Sequence, residues 1–464
     1  MVEKPTYPVK DIKWVLHACR ADEPLPPGDS RRHDFSALRG GDVVTDLADS
    51  LEQALPEGEF HHRILCGHRG SGKSTELLSL KEWADGNGFL TVWVEVDLYF
   101  GLAELQFSDL YLLTAESVTK AMQEIKSPLP ADRLQKVVDW FAEVTEENLE
   151  QIKSELSTQA GAEIGSSGLL SLMLGKLFVR FSAGVKAGSE LNQRVRQRLR
   201  QAPNTLIDLT NDLLRRANEQ LLDKDRTRGL LLLFDNLDRY ETDTINGLLL
   251  RGSTLIRSIA CHAVFTMPIN LQYSSTGTYW DDYGPPAILP MVSFRKPADT
   301  WGRTVADSAF DESAVDEMLV ALKRRIDVEG LFQEPGDARL LVKMSGGCMR
   351  DLLHLVNLVR QKSRTRLAEP LTHLTSSGVR SAIAGYRITL TEGLQEKDYR
   401  RLSAIARREP QAQVLDDHML QLLARRIALR YPDDGGRWTD VHPLVIETEE
   451  FQSAYIASAP IVRS

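Results

Sequence analysis

The sequence predicts an α/β fold with a parallel sheet, because short apolar runs alternate with helical patterns along most of its 464 residues. Five of these runs are Leu-rich or branched and largely lack polar alternation, which is typical of strands buried on both faces. With 42% hydrophobic and 26% charged residues, the chain has the composition of a globular protein. Its length allows roughly two to four domains.

Five segments are predicted as the strands: His62–Gly67, Leu90–Leu98, Gly229–Asp235, Cys261–Ile269 and Ala287–Phe294. Residues 99–228, between the second and third strands, are mostly helical by periodicity and far longer than a crossover requires. We therefore expect a large helical insertion there. It contains a basic cluster, which is either a solvated helix face or a contact for nucleic acid or a partner. The cluster consists of Arg194, Arg196, Arg198 and Arg200.

Charge and cysteine usage exclude several classes of protein. A formal net charge of -9 argues against coating nucleic acid by bulk charge, although a local basic face is compatible with it. The four cysteines include no CxxC pair, so we expect reduced thiols in a cytoplasmic protein rather than a disulfide framework or a zinc site. The first residues lack an apolar core, so no signal peptide is expected.

One apolar stretch, Gly165–Gly188, has to be weighed as a membrane segment. Its uninterrupted apolar run is short, and Lys176, Arg180 and Lys186 lie within it. We expect a buried helix or a glycine-rich hairpin, and no membrane contact.

The remaining segments suggest four regions. Residues 1–33 are Pro-rich and polar, which predicts an extended lead-in; residues 34–296 would form the α/β core and residues 297–368 a helical region. In residues 369–464, the segment Leu420–Tyr431, the turn 432–436 and the segment Arg437–His442 indicate helix, strand, turn and strand. That pattern is typical of a winged helix.

The most specific motif is Gly67–Thr75, GHRGSGKST, which matches GxxxxGK[ST] between an apolar strand and a helical run. Its glycines allow the backbone to wrap around phosphates, so that its amides and the helix N-terminus face negative charge. Lys73 is expected to neutralise the β- and γ-phosphates and the Ser74 hydroxyl to ligate Mg²⁺. The loop therefore predicts a site for ATP and Mg²⁺. Its predicted contacts are Gly67, His68, Arg69, Gly70, Ser71, Gly72, Lys73, Ser74 and Thr75.

A second motif, LLLLFDNLD at 230–238, ends a buried strand with Asp235. A carboxylate at that edge of the sheet can hold the Mg²⁺ water shell. The next position, where a water-orienting Glu is common, is Asn236, and an amide is too weak a base to accept a proton. Asp238 is the alternative candidate, although it can also form a turn or pair with Arg239. ATP binding is thus expected with slow hydrolysis.

Two further positions could reach the phosphates. Thr266 or Asn270, at the end of the fourth strand, can donate a hydrogen bond toward the γ-phosphate or the attacking water, unless Thr266 is an ordinary strand residue. Arg350 follows the run SGGCM in the first turn of a predicted helix. It either reaches the phosphates from a lid or pairs with a neighbouring acid.

Together these motifs resemble the AAA+ superfamily, specifically its initiator-like (ORC/Cdc6-type) and STAND-type switch ATPases, over roughly residues 34–445. The loop is similar to Walker A, LLLLFDNLD to Walker B, the end of the fourth strand to sensor 1 and Arg350 to sensor 2 of a helical lid. The segment DFSALRG at 34–40 looks like the family's adenine-pocket segment, which implies that Leu38 and Arg39 bind ATP.

The sequence departs from ring-forming members of that family. The stretch 270–286, where an arginine finger is usual, contains no Arg, and Asn236 replaces the usual Glu. The long insertion also resembles that of KAP-type P-loop ATPases. The resemblance implies a nucleotide-controlled switch or assembly platform that forms homo-oligomers and recruits a protein partner or effector, as in bacterial antiphage defence. The alternative is a DNA-binding initiator or loader with its winged helix and basic cluster on DNA.

Overall fold

A computed structural model describes residues 5–102, 104–160, 165–224, 226–273, 282–364, 371–433 and 436–457. The predicted five-stranded parallel sheet is confirmed, with the order β2-β3-β4-β1-β5. Its strands are β1 (His62–Gly67), β2 (Phe89–Glu95), β3 (Gly229–Asp235), β4 (His262–Pro268) and β5 (Ala287–Leu289). Every residue of β3 is buried, as expected for a central strand covered on both faces.

The predicted bounds of β1 and β3 agree with the structure, whereas the other three strands are shorter than predicted, β4 by one residue at each end. β2 ends at Glu95 and continues as a 3₁₀ turn over Val96–Leu98. β5 ends at Leu289 because Pro290 has no N–H to donate. The next amide, of Met291, donates instead to the carbonyl of Arg430 near the C-terminus, at 3.3 Å. The apolar run to Phe294 is therefore buried without extending the strand.

The α-helices of the first half are α1 (Val15–Ala18), α2 (Ser36–Arg39), α3 (Val43–Glu52), α4 (Lys73–Gly86), α5 (Phe107–Glu124), α6 (Ala131–Thr145), α7 (Leu149–Ala160), α8 (Ser166–Lys186), α9 (Glu190–Gln201), α10 (Pro203–Leu222), α11 (Thr242–Ile245) and α12 (Ser253–Arg257). A π-helical turn, Asn246–Arg251, separates the last two. Those of the second half are α13 (Glu312–Lys323), α14 (Val328–Leu331), α15 (Pro335–Met344), α16 (Met349–Lys362), α17 (Ser376–Thr391), α18 (Glu396–Ala406), α19 (Asp417–Ala424), α20 (Pro443–Ile446) and α21 (Glu449–Ala457).

Helices α5 to α10 form the insertion, in which α5 and α10 pack on each other and against the sheet. The segment expected as a buried helix or a hairpin is one helix, α8, which packs against α5, α6 and α7. By length and composition it is the one helix among the described residues that could cross a membrane, and about half of its apolar window is buried inside the structure.

The predicted basic cluster does not form one surface. Arg196 is 1% exposed, and its guanidinium donates to the carboxylate of Asp109, which is itself fully buried. Arg198 is exposed and lies 3.6 Å from Glu146. The alternating spacing of the arginines places them on different faces of α9, because a helix has 3.6 residues per turn. Arg196 is therefore excluded from such a surface, whereas Arg194, Arg198 and Arg200 are exposed and fit either of the two alternatives.

The C-terminal region contains α18 and α19, followed by an antiparallel hairpin of β6 (Ala428–Asp433) and β7 (Gly436–Val441). This is the predicted order of helix, strand and strand, although the turn residues Asp434 and Gly435 lie outside the described part of the chain. The hairpin does not project freely. Leu429, Tyr431 and Trp438 bury their side chains against Met291 and Cys348 of the preceding regions.

The N-terminal segment is more ordered than the expected lead-in. Val9 pairs with the strand-like residue Ile326 and exchanges main-chain hydrogen bonds with Arg325 and Asp327, at 3.0 and 2.9 Å. Asn357 of α16 donates to the carbonyl of Cys19 at 2.8 Å. These bonds attach the segment to the helical region that covers the carboxyl edge of the sheet.

Candidate nucleotide-binding site

The loop between β1 and α4 has the geometry needed to surround an anion. Gly70 and Gly72 have φ values of +84° and +107°, which disfavour residues with a Cβ. A Cβ on Gly67 would lie 2.8 Å from the carbonyl oxygen of Leu289, so this position also requires glycine. The loop leads directly into the 14-residue helix α4, whose N-terminal amides and dipole favour negative charge.

An open cleft lies beside this loop and encloses about 630 Å³ when the open solvent at its mouth is included. Its walls come from the loop, from residues Arg20–Pro24, from the turn after β3, and from Met349 and Leu353 of α16. Several of the side chains that line it are cationic. They are Arg20, Lys73, Arg239, Arg325 and Arg350.

Lys73 points inward and is 4% exposed. Its ammonium donates to the carbonyl oxygens of Gly67 and His68, each at 2.9 Å, and lies 2.9 Å from Asp238 Oδ2. Asp238 therefore pairs with the loop lysine and not with Arg239. Arg239 instead pairs with Asp97 at the end of β2, at 2.6 Å.

Asp235 ends β3 next to the start of α4, and its carboxylate accepts a hydrogen bond from the Ser74 hydroxyl. Burial raises the pKa of Asp235 to about 6, partly offset by the bond from Ser74. Its Oδ1 is buried and has no partner among the described residues. A buried carboxylate oxygen without a partner among the described residues, next to a hydroxyl, fits the oxygen ligands that Mg²⁺ prefers. No cluster of three His, Cys, Asp or Glu occurs among the described residues, so phosphate and water oxygens would have to supply the other ligands.

Asn236, at the position where a Glu is common, lines the cleft, but its side-chain amide is bonded to another residue. It adopts the left-handed conformation, with φ of +65°, and its amide donates to Asp97 Oδ1 at 2.9 Å. The Asp238 carboxylate, in contrast, contacts the loop, with its Oδ2 2.9 Å from Lys73 Nζ.

The two candidates on β4 and after it differ. The Thr266 hydroxyl is fully buried; it accepts from Leu237 N at 3.0 Å and donates to Phe234 O at 3.2 Å. Thr266 therefore positions the turn that carries Asp235 and Asp238. Asn270 donates to Thr242 at 3.1 Å, while its Oδ1 is buried without a partner among the described residues. Asn270 lines a cavity that Gly67 and Arg69 also line, so Asn270 is better placed than the fully buried Thr266 to contact a ligand.

Arg350 lies in the first turn of α16, directly above the loop. A Cβ added to Gly70 would lie 2.5 Å from Arg350 Cβ, so α16 and the loop are in direct contact. The neighbouring acid, Asp351, pairs with Arg426, which excludes it as the partner of Arg350. Arg350 Nε is buried without a hydrogen-bond partner among the described residues.

The remaining residues predicted from the adenine-pocket segment do not line the cleft. Arg39 lies behind the loop, where it donates to the Ser71 carbonyl and to Glu76. Leu38 is half-buried and packs against the hydrophobic core. The cleft wall is formed instead by residues 20–24, and Leu25 N donates to Thr75 Oγ1 at 3.3 Å. Sequence reasoning missed these residues because a polar, Pro-rich stretch carries no site motif.

The sheet and the glycine-rich loop define an α/β protein with a P-loop between β1 and α4. A scan against protein-family models found no match, and a search of curated proteins found none either.

Several solved structures are similar to the chain. The Aeropyrum pernix Orc1 protein in complex with DNA is 14% identical, with a TM-score of 0.37, and covers 98% of this chain and 99% of that chain. Cdc6p from Pyrobaculum aerophilum is 11% identical, with a TM-score of 0.33, and covers 91% and 98%. Drosophila ORC bound to DNA is 11% identical, with a TM-score of 0.34, and covers 98% and 95%. Similarities this low assign neither an activity nor a partner to the chain.

Proposed function

We propose that this protein binds ATP with Mg²⁺ in the cleft beside the P-loop and acts as a nucleotide-controlled switch or assembly platform. The observation that supports the proposal best is the contact of Arg350 with the P-loop, because it places over the phosphate-binding loop a cation from a separate region whose buried Nε has no partner among the described residues. A nucleotide can then interact differently with the covered and uncovered loop, which is the requirement for a ligand-driven switch.

The residues of the cleft would have separate roles in phosphate binding, Mg²⁺ binding and hydrolysis. The P-loop amides and Lys73 would bind the phosphates, and Ser74 and Asp235 would hold Mg²⁺, which supplies charge neutralisation for the phosphate oxygens. Asp238 is the carboxylate closest to the loop that can order a water, and Asn270 can donate a hydrogen bond near it. Since Asp238 is paired with Lys73, we expect slow hydrolysis.

The switch would act on a protein partner, an effector or another copy of the chain, as in bacterial antiphage systems. The DNA-binding alternative receives less support from the C-terminal region. The helix that precedes the hairpin, α19, packs against residues Ile269–Tyr273 of the core. Arg430 and Asp440 are buried, and Asp440 pairs with Arg295 and Arg408. One face of that helix and these two buried charges are therefore occupied by contacts within the protein.

Limited proteolysis and size-exclusion chromatography, each with and without Mg²⁺ and a slowly hydrolysed ATP analogue, test the proposal. We expect the analogue to change the protease sensitivity or oligomeric state of the parent, and Arg350→Ala to keep affinity within about tenfold while losing that change. Arg339→Ala is the matched control, because Arg339 is paired with the exposed residues Glu312 and Asp316 on α13. A full analogue-dependent change in Arg350→Ala would contradict the proposal.

A further inference from the structure

The imidazole of His68 joins the P-loop to the C-terminal hairpin. His68 is 1% exposed, and its Nε2 accepts a hydrogen bond of 3.0 Å from the main-chain N–H of Arg430 in β6. Its carbonyl oxygen accepts from Lys73 Nζ at 2.9 Å. A single P-loop residue therefore contacts both the phosphate-binding lysine and the C-terminal region.

The ring of His68 is suited to accept this bond. Burial and the nearby cations Lys73, Arg426 and Arg430 lower the pKa of His68 to about 3. At neutral pH the ring is uncharged, and a neutral imidazole has one nitrogen free to accept. The contact with Arg430 is consequently present throughout the physiological pH range.

The other contacts of this edge of β6 also go to the core. The carbonyl of Arg430 accepts from Met291 N at 3.3 Å, so both main-chain groups of Arg430 are bonded to the core. Tyr431 donates its hydroxyl to the carbonyl of Gly346 at 2.7 Å. Strand β6 belongs to a two-stranded sheet, so its main-chain N–H and C=O groups that face away from β7 have no strand partner. Without the bonds described above, these groups would be exposed to solvent or to another chain.

The loop at 346–348 completes the junction between the three regions. Gly346 and Gly347 have φ values of +60° and +75°. A Cβ on Gly346 would lie 2.8 Å from the Leu429 side chain, and one on Gly347 would overlap the carbonyl of Val292. The Cys348 thiol lies 3.8 and 3.7 Å from the carbonyl oxygens of Arg69 and Gly70. The P-loop, this loop and β6 are therefore in direct contact with one another.

We propose that His68 is a positioning residue that couples nucleotide binding to docking of the β6–β7 hairpin. Its imidazole holds the P-loop against β6, and its carbonyl holds Lys73 in place. This inference rests on the proposed function and adds the route by which ATP in the cleft controls the C-terminal region. Because coupling between two equilibria is reciprocal, ATP strengthens docking by the same factor by which docking strengthens ATP binding.

The coupling can be tested in the full chain with His68→Phe, which keeps a ring but removes the acceptor, and with Tyr431→Phe, which removes the bond to Gly346 without touching the P-loop. The probe is a slowly hydrolysed ATP analogue with Mg²⁺, measured by equilibrium binding and by hydrogen exchange of residues 427–433. Arg387→Gln is the control, since it breaks a 2.6 Å ion pair with Glu447 inside the C-terminal region, away from the P-loop.

In the parent, the analogue should slow exchange of residues 427–433. His68→Phe should bind the analogue about fivefold more weakly and lose that protection, as expected for one hydrogen bond. Tyr431→Phe should also weaken both the binding of the analogue and the protection of residues 427–433, each by about twofold. Arg387→Gln should change neither the binding nor the protection. Parent-like affinity and protection in Tyr431→Phe and in folded His68→Phe would overturn the coupling while leaving ATP binding intact. A parent that binds no analogue would instead overturn the proposed function, and the coupling with it.

Discussion

Lys73 Nζ and Asp238 Oδ2 lie 2.9 Å apart and form a buried ion pair at the carboxyl edge of the sheet. The phosphates of a bound nucleotide have to compete with Asp238 for this ammonium, because a lysine offers a single positive charge. The same carboxylate is the nearest candidate for ordering a water. Asp238 is thus expected to oppose binding and to assist hydrolysis.

Asp238→Asn separates these two effects. We expect ATP affinity equal to that of the parent or up to about tenfold tighter, and turnover at least about tenfold slower, since an amide accepts protons poorly. Isothermal titration with the slowly hydrolysed analogue and phosphate-release assays measure the two quantities. Asp243→Asn, an exposed carboxylate on α11, should change neither. Weaker binding together with unchanged turnover would contradict the role given to Asp238.

Asp235 gives Mg²⁺ binding a defined pH dependence. Burial raises the pKa of its carboxyl to about 6, so the site is protonated below that pH and ionised above it. Mg²⁺ requires the ionised form, and the Mg²⁺-dependent part of ATP affinity should therefore fall as the pH is lowered from 8 to 5.

The raised pKa of Asp235 also makes the free energy of unfolding depend on pH. A carboxyl whose folded pKa exceeds its unfolded value of 3.8 destabilises the metal-free fold as the pH rises through this window. Asp235→Asn should therefore raise the melting temperature of the metal-free protein at pH 8 but not at pH 4, and should abolish the pH-dependent Mg²⁺ effect. Calorimetry measures the melting temperature, and titration measures the Mg²⁺-dependent ATP affinity. If both quantities depend on pH in the same way in the parent and in Asp235→Asn, Asp235 is not the Mg²⁺ ligand.

Gly70 tests the contact between the P-loop and α16. Gly70→Ala introduces a Cβ 2.5 Å from Arg350 Cβ and 2.9 Å from the Cys348 thiol, in addition to strain at φ of +84°. Gly28→Ala is a matched control, because Gly28 has a similar φ of +80° with nothing within 4 Å of its added Cβ. We expect Gly70→Ala to weaken binding of the analogue at least about tenfold, and Gly28→Ala to lower thermal stability without affecting binding. Equal binding losses in both variants would show that strain alone is responsible.

Local sequence patterns were sufficient to predict the sheet and the P-loop. The loop matches a spaced motif between a buried strand and a helix, and the run at 229–235 is apolar throughout, so both elements are determined by nearby residues. Pro290 marks the end of β5, but the apolar run that continues to Phe294 hid this signal, because its residue Met291 is buried by the distant strand β6 rather than by the sheet.

The parts of the site that depend on tertiary contacts were not predictable. Nothing in the composition of residues 20–24 indicates that they line the cleft, since their position depends on the pairing of Val9 with Ile326. The bond between His68 and Arg430 joins residues that are far apart in the sequence, and the loop motif leaves the residue type at position 68 unspecified. The burial of Arg196 likewise depends on Asp109 of a different helix.

The central claim is that the cleft binds ATP through Lys73, and equilibrium binding of a slowly hydrolysed ATP analogue to Lys73→Ala tests it most directly. The matched control is Lys81→Ala, on the same helix, where Lys81 pairs with the partly exposed residue Asp85. With Mg²⁺ present, the parent and Lys81→Ala should bind alike, and Lys73→Ala should bind about 100-fold more weakly or not at all, because it loses a buried cation that faces the phosphates. Binding of the analogue by Lys73→Ala with the affinity of the parent would contradict the account.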